Sequence, residues 1–287
     1  MGRRITVIGG DFRQCVMAEH FIKDGFDLSL YGFNSLALPP TLKLSETLTD
    51  ALSGSKLIIL GISPCDEKMN ISTPLWDDTL SADTLISHLT SDCIIVAGKP
   101  SDAFISLCSN KGIRCIDYVK REEFAILNAV PTVEGALEIA MRELPFTINS
   151  SNCLVTGFGR IGKLLGKALD SLGARVTCSA RKCADLAWIK TCGFSSVHTA
   201  ELSDKIHDFN IIFNTIPALI FNRDLLRNIR PDTLIIDLAS KPGGVDIKCA
   251  EELGIKVIWA LSLPGKTAPV TAGKIIKDTL NNIIKEM

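Results

Sequence analysis

The sequence contains no apolar run approaching the roughly 18 residues that a membrane-spanning helix requires. It also lacks room for a signal peptide, because Met1-Gly2-Arg3-Arg4-Ile5 leads straight into an expected strand. Gly2 could be read as a myristoylation site, but Thr6 completes that pattern only as part of a strand sequence. Charge of one sign is missing: 31 Lys and Arg stand against 32 Asp and Glu, a formal net charge of -1. No basic field therefore invites nucleic acid, and no acidic tail repels it. Low-complexity tracts and internal repeats are absent. Cysteine is not scarce, with ten, but no C-x-x-C occurs. The four histidines, His20, His88, His198 and His207, do not pair with the cysteines at zinc spacing. A metal site is not expected. Cys93, Cys153 and Cys178 sit in apolar strand sequences, so the cysteines read as small core residues in a reducing, cytoplasmic setting.

What the chain does have is a core. Its 287 residues suffice for two domains, and 46% of them are hydrophobic against 22% charged. The stretch that organises it is Asn152 to Leu172, NCLVTGFGRIGKLLGKALDSL. Cys153-Leu154-Val155-Thr156 reads as a buried strand. Gly157-Phe158-Gly159-Arg160-Ile161-Gly162 is a G-x-G-x-x-G turn. Ile161, Leu164, Leu165, Ala168, Leu169 and Leu172 then recur along one helical face. Strand, glycine turn and helix together predict a dinucleotide site, with the pyrophosphate on the N–H groups at the helix start. Gly157 permits the turn, Gly159 lets the pyrophosphate approach, and Gly162 lets the helix pack on the strand.

Strands and helices alternate through both halves, which predicts an α/β fold of two doubly wound parallel sheets. In the first half, strands are expected at 4–8, 27–31, 56–60, 93–97 and 114–118. Helices are expected at 12–24, 41–52 and 102–111, and 63–74 reads as a loop. Asp11 and Gln14 stand where a second nucleotide fingerprint would need glycines, which suits a flavodoxin-like substrate domain. Two helical stretches follow, 122–127 and 131–144, with Pro131 at a helix start. The domain boundary is placed there: residues 1–144 form the substrate domain and 145–267 a Rossmann NADP-binding domain. In the second half, strands are expected at 175–179, 195–198, 210–214, 233–237 and 256–259, with helices at 184–192 and 247–253. A final helix in 268–287 is expected to pack back on the first domain.

The strand after the glycine motif distinguishes the cofactors. NAD binders place a carboxylate about 20 residues past the first glycine. Here the strand ends Cys178-Ser179-Ala180-Arg181-Lys182, with no acid at its tip. Arg181 and Lys182 would attract a 2′-phosphate, and Ser179 could donate to it, so NADP is predicted.

Ligands of open parallel sheets bind beyond the carboxyl ends of strands. Four loops there form a ring about an expected cleft. Gly9-Gly10-Asp11-Phe12-Arg13-Gln14 would bind an anion through a free helix N-terminus, with Gly10, Asp11 and Arg13 as candidates. Asn214-Thr215-Ile216-Pro217 lies where nicotinamide ribose is expected, so Asn214, Thr215 and Pro217 join the cofactor set. Asp237-Leu238-Ala239-Ser240-Lys241-Pro242-Gly243-Gly244 and Leu263-Pro264-Gly265-Lys266-Thr267-Ala268-Pro269 complete the ring. No His follows His207, so the late acid/base of a two-domain hydroxy-acid dehydrogenase is missing. No cysteine has the His and Asn partners of a thiol enzyme. Dehydrogenating a ring C–C bond fits, since aromatisation drives it and only a weak base is needed.

These loops, together with Val130-Pro131-Thr132-Val133-Glu134-Gly135 and Thr271-Ala272-Gly273, resemble the family of the dipicolinate synthase A subunit over nearly the whole chain. Where the family is expected to carry Arg in a Ser-Arg-Pro-Gly-Gly run, this chain has Lys241, which keeps the charge but weakens bidentate carboxylate binding. The resemblance implies an NADP-dependent oxidation in the mother cell of a sporulating bacterium. In it, 4-hydroxy-tetrahydrodipicolinate loses water to dihydrodipicolinate, and hydride transfer to the cofactor releases dipicolinate. It also implies a partner, the flavoprotein-like B subunit of the same synthase. A dicarboxylate heterocycle needs two clamps. Arg13 with the Gly10–Asp11 helix start is one candidate; Lys241, Arg121 and Lys266 compete for the other. Glu134 either accepts a proton or caps helix geometry. Two alternatives stay open: a non-catalytic NADP(H)-sensing subunit, and an NADP-dependent amino- or hydroxy-acid dehydrogenase. A homo-oligomer is expected by analogy with two-domain dehydrogenases.

Overall fold

Alternate residues of the first strand face two different cores. In β1 (Arg4–Ile8), Ile5 and Val7 join one cluster and Ile8 the other. That is the period of two expected when both faces of a sheet are covered. The computed structural model describes residues 4–34 and 38–287. The Gly2 reading lies outside the described residues.

The first unit contains β1, α1 (Phe12–Lys23), β2 (Asp27–Tyr31), α2 (Leu48–Leu52), β3 (Leu57–Ile62), α3 (Ala82–Ser87), β4 (Ile94–Gly98), α4 (Asp102–Asn110) and β5 (Arg114–Asp117). Its sheet runs β2-β1-β3-β4-β5, all parallel. This flavodoxin-like order has its switch point between β1 and β3. One core sets Ile5, Val7, Leu30, Ile59 and Val96 against helices; the other takes Ile8, Ile58, Leu60, Ile95 and Ala97.

Helix α5 (Glu122–Glu143) follows, and then the second unit: β6 (Asn152–Thr156), α6 (Arg160–Ser171), β7 (Arg175–Ala180), α7 (Cys183–Thr191), β8 (Ser195–His198), β9 (Ile211–Asn214), α8 (Arg223–Leu226), β10 (Leu234–Asp237), α9 (Ile247–Glu252), β11 (Lys256–Trp259) and α10 (Leu263–Thr267). The sheet order is β11-β10-β9-β6-β7-β8, again parallel, the arrangement of a Rossmann domain. The fold class predicted from the alternation is therefore the one observed. Helix α11 (Pro269–Glu286) belongs to the first unit, where Ile275, Ile276, Leu280 and Ile283 enter the same core as α1. A Cβ on Gly273 would lie 2.7 Å from the Arg13 carbonyl oxygen, so α11 approaches α1 at backbone distance.

Several local expectations are corrected. The stretches 122–127 and 131–144 are one helix, with Pro131 inside it rather than at a start. An interior proline costs about 3 kcal/mol. Burial of Val133, Ala136, Ile139 and Ala140 offsets it, since a buried Val or Ile contributes about 1.5–3 kcal/mol. The compact units part within this helix, between Asn128 and Ala129, where the sequence suggests 144/145. The second half of α5 lies in the second unit because those four residues face its core. Of 41–52 only Leu48–Leu52 is helical. The residues before it pair with β2 instead: Leu44 bridges Leu30, and Ser45 N–H donates to the Leu30 carbonyl at 2.9 Å. Leu263–Thr267, expected as loop, is a short helix. A Cβ on Gly135 would lie 2.7 Å from Thr267 Oγ1, so α10 seats on α5 through that glycine.

Among the described residues, α5 alone is long and apolar enough to cross a membrane by length and composition, and 44% of its most apolar window is buried in the fold. All ten cysteines are free thiols, six of them buried. Burial pushes the Cys153 and Cys178 thiols up to about 12, so they stay neutral core groups near pH 7. Among the described residues no group of His, Cys, Asp and Glu is arranged to hold a metal ion.

Candidate functional site

Each glycine of the strand–glycine–helix stretch has a backbone setting of its own. Gly157 adopts φ +90°, and its N–H donates to the Ser179 carbonyl at 3.0 Å. That left-handed turn brings the chain from β6 into α6. Gly159 is the N-cap of α6, and no side chain caps it. A Cβ added at Gly159 would meet nothing within 4 Å, so the backbone there is open to an approaching ligand. A Cβ at Gly162 would lie 2.1 Å from the Gly157 carbonyl oxygen, which fixes glycine at that turn of the helix. An uncapped helix start with open backbone is a site for an anion such as a pyrophosphate.

Two members of the motif turn inward. Phe158 is buried, edge-on to Phe194 at 6.4 Å, and Ile161 packs against the same core. Only their backbones face the turn. Arg181 and Lys182, at the end of β7, are exposed. Their strand end is fixed by His198, whose Nδ1 accepts from the Ala200 N–H at 3.3 Å while Nε2–H donates to the Arg181 carbonyl at 3.1 Å. Ser179 differs from expectation. It is fully buried and its hydroxyl makes no hydrogen bond, so it is covered rather than presented to a phosphate. Ser179 lies within β7 between buried Cys178 and Ala180, whereas Arg181 follows the strand's end.

Asn214 is also corrected. It is fully buried, and its side-chain atoms are occupied within the protein. Asn214 Oδ1 accepts from Thr156 Oγ1 at 2.6 Å and from the Ile216 N–H at 3.1 Å. Nδ2 donates to Asp237 Oδ1 at 2.8 Å and to the Ile216 carbonyl at 3.0 Å. Asp237 in turn accepts from the Ala239 N–H at 3.0 Å and the Gly244 N–H at 2.8 Å. Thr215 Oγ1 donates to the Thr156 carbonyl at 2.8 Å. One buried network thus ties the carboxyl ends of β6, β9 and β10 together and shapes the loops that follow. Those loops present Pro217 and Lys241, both exposed. Asn214 and Asp237 shape these loops from within; they do not reach out from them.

In the first unit, the start of α1 is not free. Asp11 accepts the Arg13 N–H at 3.0 Å, and the Gln14 side chain accepts the Asp11 N–H at 2.9 Å, a full capping box. The Gly10 N–H donates to the Ser72 carbonyl at 2.8 Å. The predicted anion site at this helix terminus is therefore taken by the chain's own groups. Arg13 remains as a cation: its Nε and Nη2 hold the Asp11 carboxylate at 2.6–3.1 Å. Burial opposes its charge, but the hydrogen bonds and charge of Asp11 keep the guanidinium above its ordinary value. Arg121 is corrected as a substrate clamp. Its fork is bidentate on Glu286 at 2.6 and 2.7 Å, and its Nε holds Glu123 at 2.8 Å. It fastens the end of α11 within the first unit. Glu134 and Lys266 are exposed in the second unit. Lys266 lines a recess of about 540 Å³ with Glu138, Arg142 and Trp259.

Residues 4–119 match the family described as the N-terminal domain of the dipicolinate synthase A subunit. The whole chain is 34% identical to the A subunit of dipicolinate synthase from Bacillus subtilis (strain 168), across 97% of that protein's length. The chain belongs to the family of dipicolinate synthase A subunits. The crystal structure of the B. subtilis family member superposes with a TM-score of 0.90 over 100% of this chain and 97% of that one. The structure of the family member from Bacillus halodurans, 29% identical, gives a TM-score of 0.90 over 98% of this chain and 97% of that one. A transhydrogenase structure from Sinorhizobium meliloti shares the fold at 17% identity, with a TM-score of 0.73 over 99% and 94%.

The stretches that carry the family likeness are contact partners within each unit. Gly273 meets Arg13 and Val16; Gly135 meets Leu263 and Thr267; Gly157 meets Thr215 and Ile216; Gly244 meets Asn214.

Proposed function

We propose that this chain is the NADP-dependent catalytic component of a dipicolinate synthase. Dihydrodipicolinate, formed by loss of water from 4-hydroxy-tetrahydrodipicolinate, is oxidised to dipicolinate. The balance is one hydride lost from ring carbon and one proton released as the ring becomes aromatic. When bound, NADP supplies the hydride acceptor. The observation that carries this is the open backbone at Gly159 beside the uncapped start of α6, in a chain of this family. Gly157, Gly159, Arg160 and Gly162 would hold the pyrophosphate, and Arg181 and Lys182 the 2′-phosphate. The absence of an acid at the end of β7 favours NADP over NAD.

The chain's own chemistry is modest, as the reaction requires. Arg13 supplies a fixed cation for one substrate carboxylate. Lys241 and Lys266, exposed on loops at strand ends of the second unit, are the candidates for the other. Glu134, exposed and without a hydrogen bond among the described residues, is the candidate proton acceptor. Aromatisation drives the step, so a weak base suffices. The partner is the flavoprotein-like B subunit, and the setting is the cytoplasm of a sporulating mother cell. Incubation with NADP and generated 4-hydroxy-tetrahydrodipicolinate, with and without that partner, tests this. NADPH absorbance and the ultraviolet bands of dipicolinate should rise together. NADP binding without turnover in both cases would instead favour a sensing role.

A further inference from the structure

Three glycines lie side by side at the carboxyl edge of the first sheet. Gly10 follows β1, Gly61 is in β3, and Gly98 ends β4. Gly10 and Gly61 flank the switch point between β1 and β3, where ligands of such sheets bind, and Gly98 lies on the next strand. Two polar groups from flanking segments, together with Ile62 of β3, cover the glycines. A Cβ on Gly10 would fall 2.6 Å from Gln14 Oε1, and one on Gly61 3.6 Å from Gln14 Cδ. A Cβ on Gly98 would fall 2.8 Å from the Tyr118 hydroxyl. The glycines thus make room for an amide and a phenol.

Gln14 and Tyr118 are both fully buried, yet among the described residues Gln14 Nε2 and Tyr118 Oη have no hydrogen-bond partner. Leaving such groups unpaired destabilises a fold, and native chains rarely do so without a use for them. Arg13 is near enough for its charge to act on Tyr118, while its Nε and Nη2 hold Asp11. Asp11 brings an opposing charge, but that carboxylate is already held by Arg13. Burial pushes the Tyr118 phenol up, so it remains a donor across the working pH range. An amide N–H, a phenol O–H and a guanidinium are donors of the kind a carboxylate takes. The Arg13 side chain, 11% exposed, is where this cluster meets solvent.

We infer that Gln14, Tyr118 and Arg13 form a carboxylate-binding subsite at the switch point of the first sheet, taking one carboxylate of the heterocyclic substrate. The substrate class rests on the synthase assignment proposed above; the subsite itself rests on the unpaired donors. Sequence inspection passes over both new members. Gln14 looks only like a missing glycine, and Tyr118 like the end of a strand.

The test is calorimetric titration of the full chain, saturated with NADP, using dipicolinate and, separately, pyruvate as a plain carboxylate probe. Gln14→Glu keeps the oxygen that caps the Asp11 N–H but removes the amide donor. Tyr118→Phe removes only the hydroxyl. Each variant should bind dipicolinate about tenfold or more weakly with NADP affinity unchanged, and Tm should stay near that of the wild type in Tyr118→Phe and fall in Gln14→Glu, which buries a carboxyl group. Unchanged dipicolinate affinity in Tyr118→Phe would mean that the phenol serves a trapped water or the core alone, and overturns the subsite. A wild-type chain that binds neither probe overturns it as well. Binding of pyruvate but not dipicolinate, lost in both variants, would keep the subsite and remove the synthase assignment.

Discussion

The Asn214 side-chain amide donates to the Asp237 carboxylate at 2.8 Å, and both residues are buried at the carboxyl ends of neighbouring strands. The pair explains how two loops that resemble ligand-contacting segments are built. Asn214 spans Thr156, Ile216 and Asp237, while Asp237 spans Asn214, Ala239 and Gly244. Asp237→Ala would leave three buried donors without an acceptor. The expected loss is about 3–5 kcal/mol of stability in urea unfolding. A loss below about 1 kcal/mol would contradict a structural role.

Two glycines of one motif should separate binding from folding. Gly159 has ordinary backbone geometry, φ -83°, and open space where a side chain would go. Gly159→Ala should fold as well as the wild type or gain roughly 0.4–1 kcal/mol. It should bind NADP about tenfold or more weakly, because the methyl group occupies the approach of the pyrophosphate. Gly162→Ala places a methyl group on the Gly157 carbonyl oxygen and should cost about 1–3 kcal/mol of stability. Thermal melts and nucleotide titrations of the two variants check this, and equal behaviour would refute the division of labour.

Nucleotide preference should reside in Arg181 and Lys182. Both are exposed at the end of β7, where no acid stands. Arg181→Ala is expected to weaken NADP by about tenfold and leave NAD unchanged. The same change for both nucleotides, or NAD binding about tenfold tighter than NADP in the wild type, would refute the assignment.

Arg121 should matter for stability in acid and not for substrate. Its hydrogen bonds and charge hold Glu286 below the usual carboxylate range; Glu123 is held low by its own backbone N–H and by Arg121. Folded values below unfolded ones add stability that is present above about pH 4.3 and lost as pH falls through the folded values. Arg121→Ala should therefore flatten the fall in stability on acidification while substrate KM stays unchanged. Urea unfolding between neutral pH and about pH 3, with kinetics on the same variant, would show it.

Much of the fold was legible because its signals are local. The run Cys153 to Gly162 carries strand, turn and helix within one short stretch, and the continuous apolar run of β3 marks a sheet covered on both faces. Local signals fail where distant partners decide. Pro131 reads as a helix start, but four core-facing residues on the following turns carry the helix through it. The residues before Leu48 leave a helix pattern for pairing with Leu30. At the site, Arg121 looks available until Glu286, 165 residues away, is seen to hold it. Asn214 looks like a ligand group, and only its bonds to Thr156 and Asp237 show that it faces inward. The Asp11/Gln14 capping box is the exception. Asp11 with Gln three positions on is a readable helix start, and its acceptor oxygens are what close the terminus to an anion.

The most direct measurement is stoichiometric. The chain, with the proposed flavoprotein-like B subunit present, is supplied with NADP and 4-hydroxy-tetrahydrodipicolinate, and NADPH and dipicolinate are quantified over the same interval. Catalysis by this chain predicts equal amounts of the two products, at a rate proportional to its concentration and lowered when NAD replaces NADP. Dipicolinate appearing equally fast without the chain, or NADP bound with no NADPH formed, would contradict it.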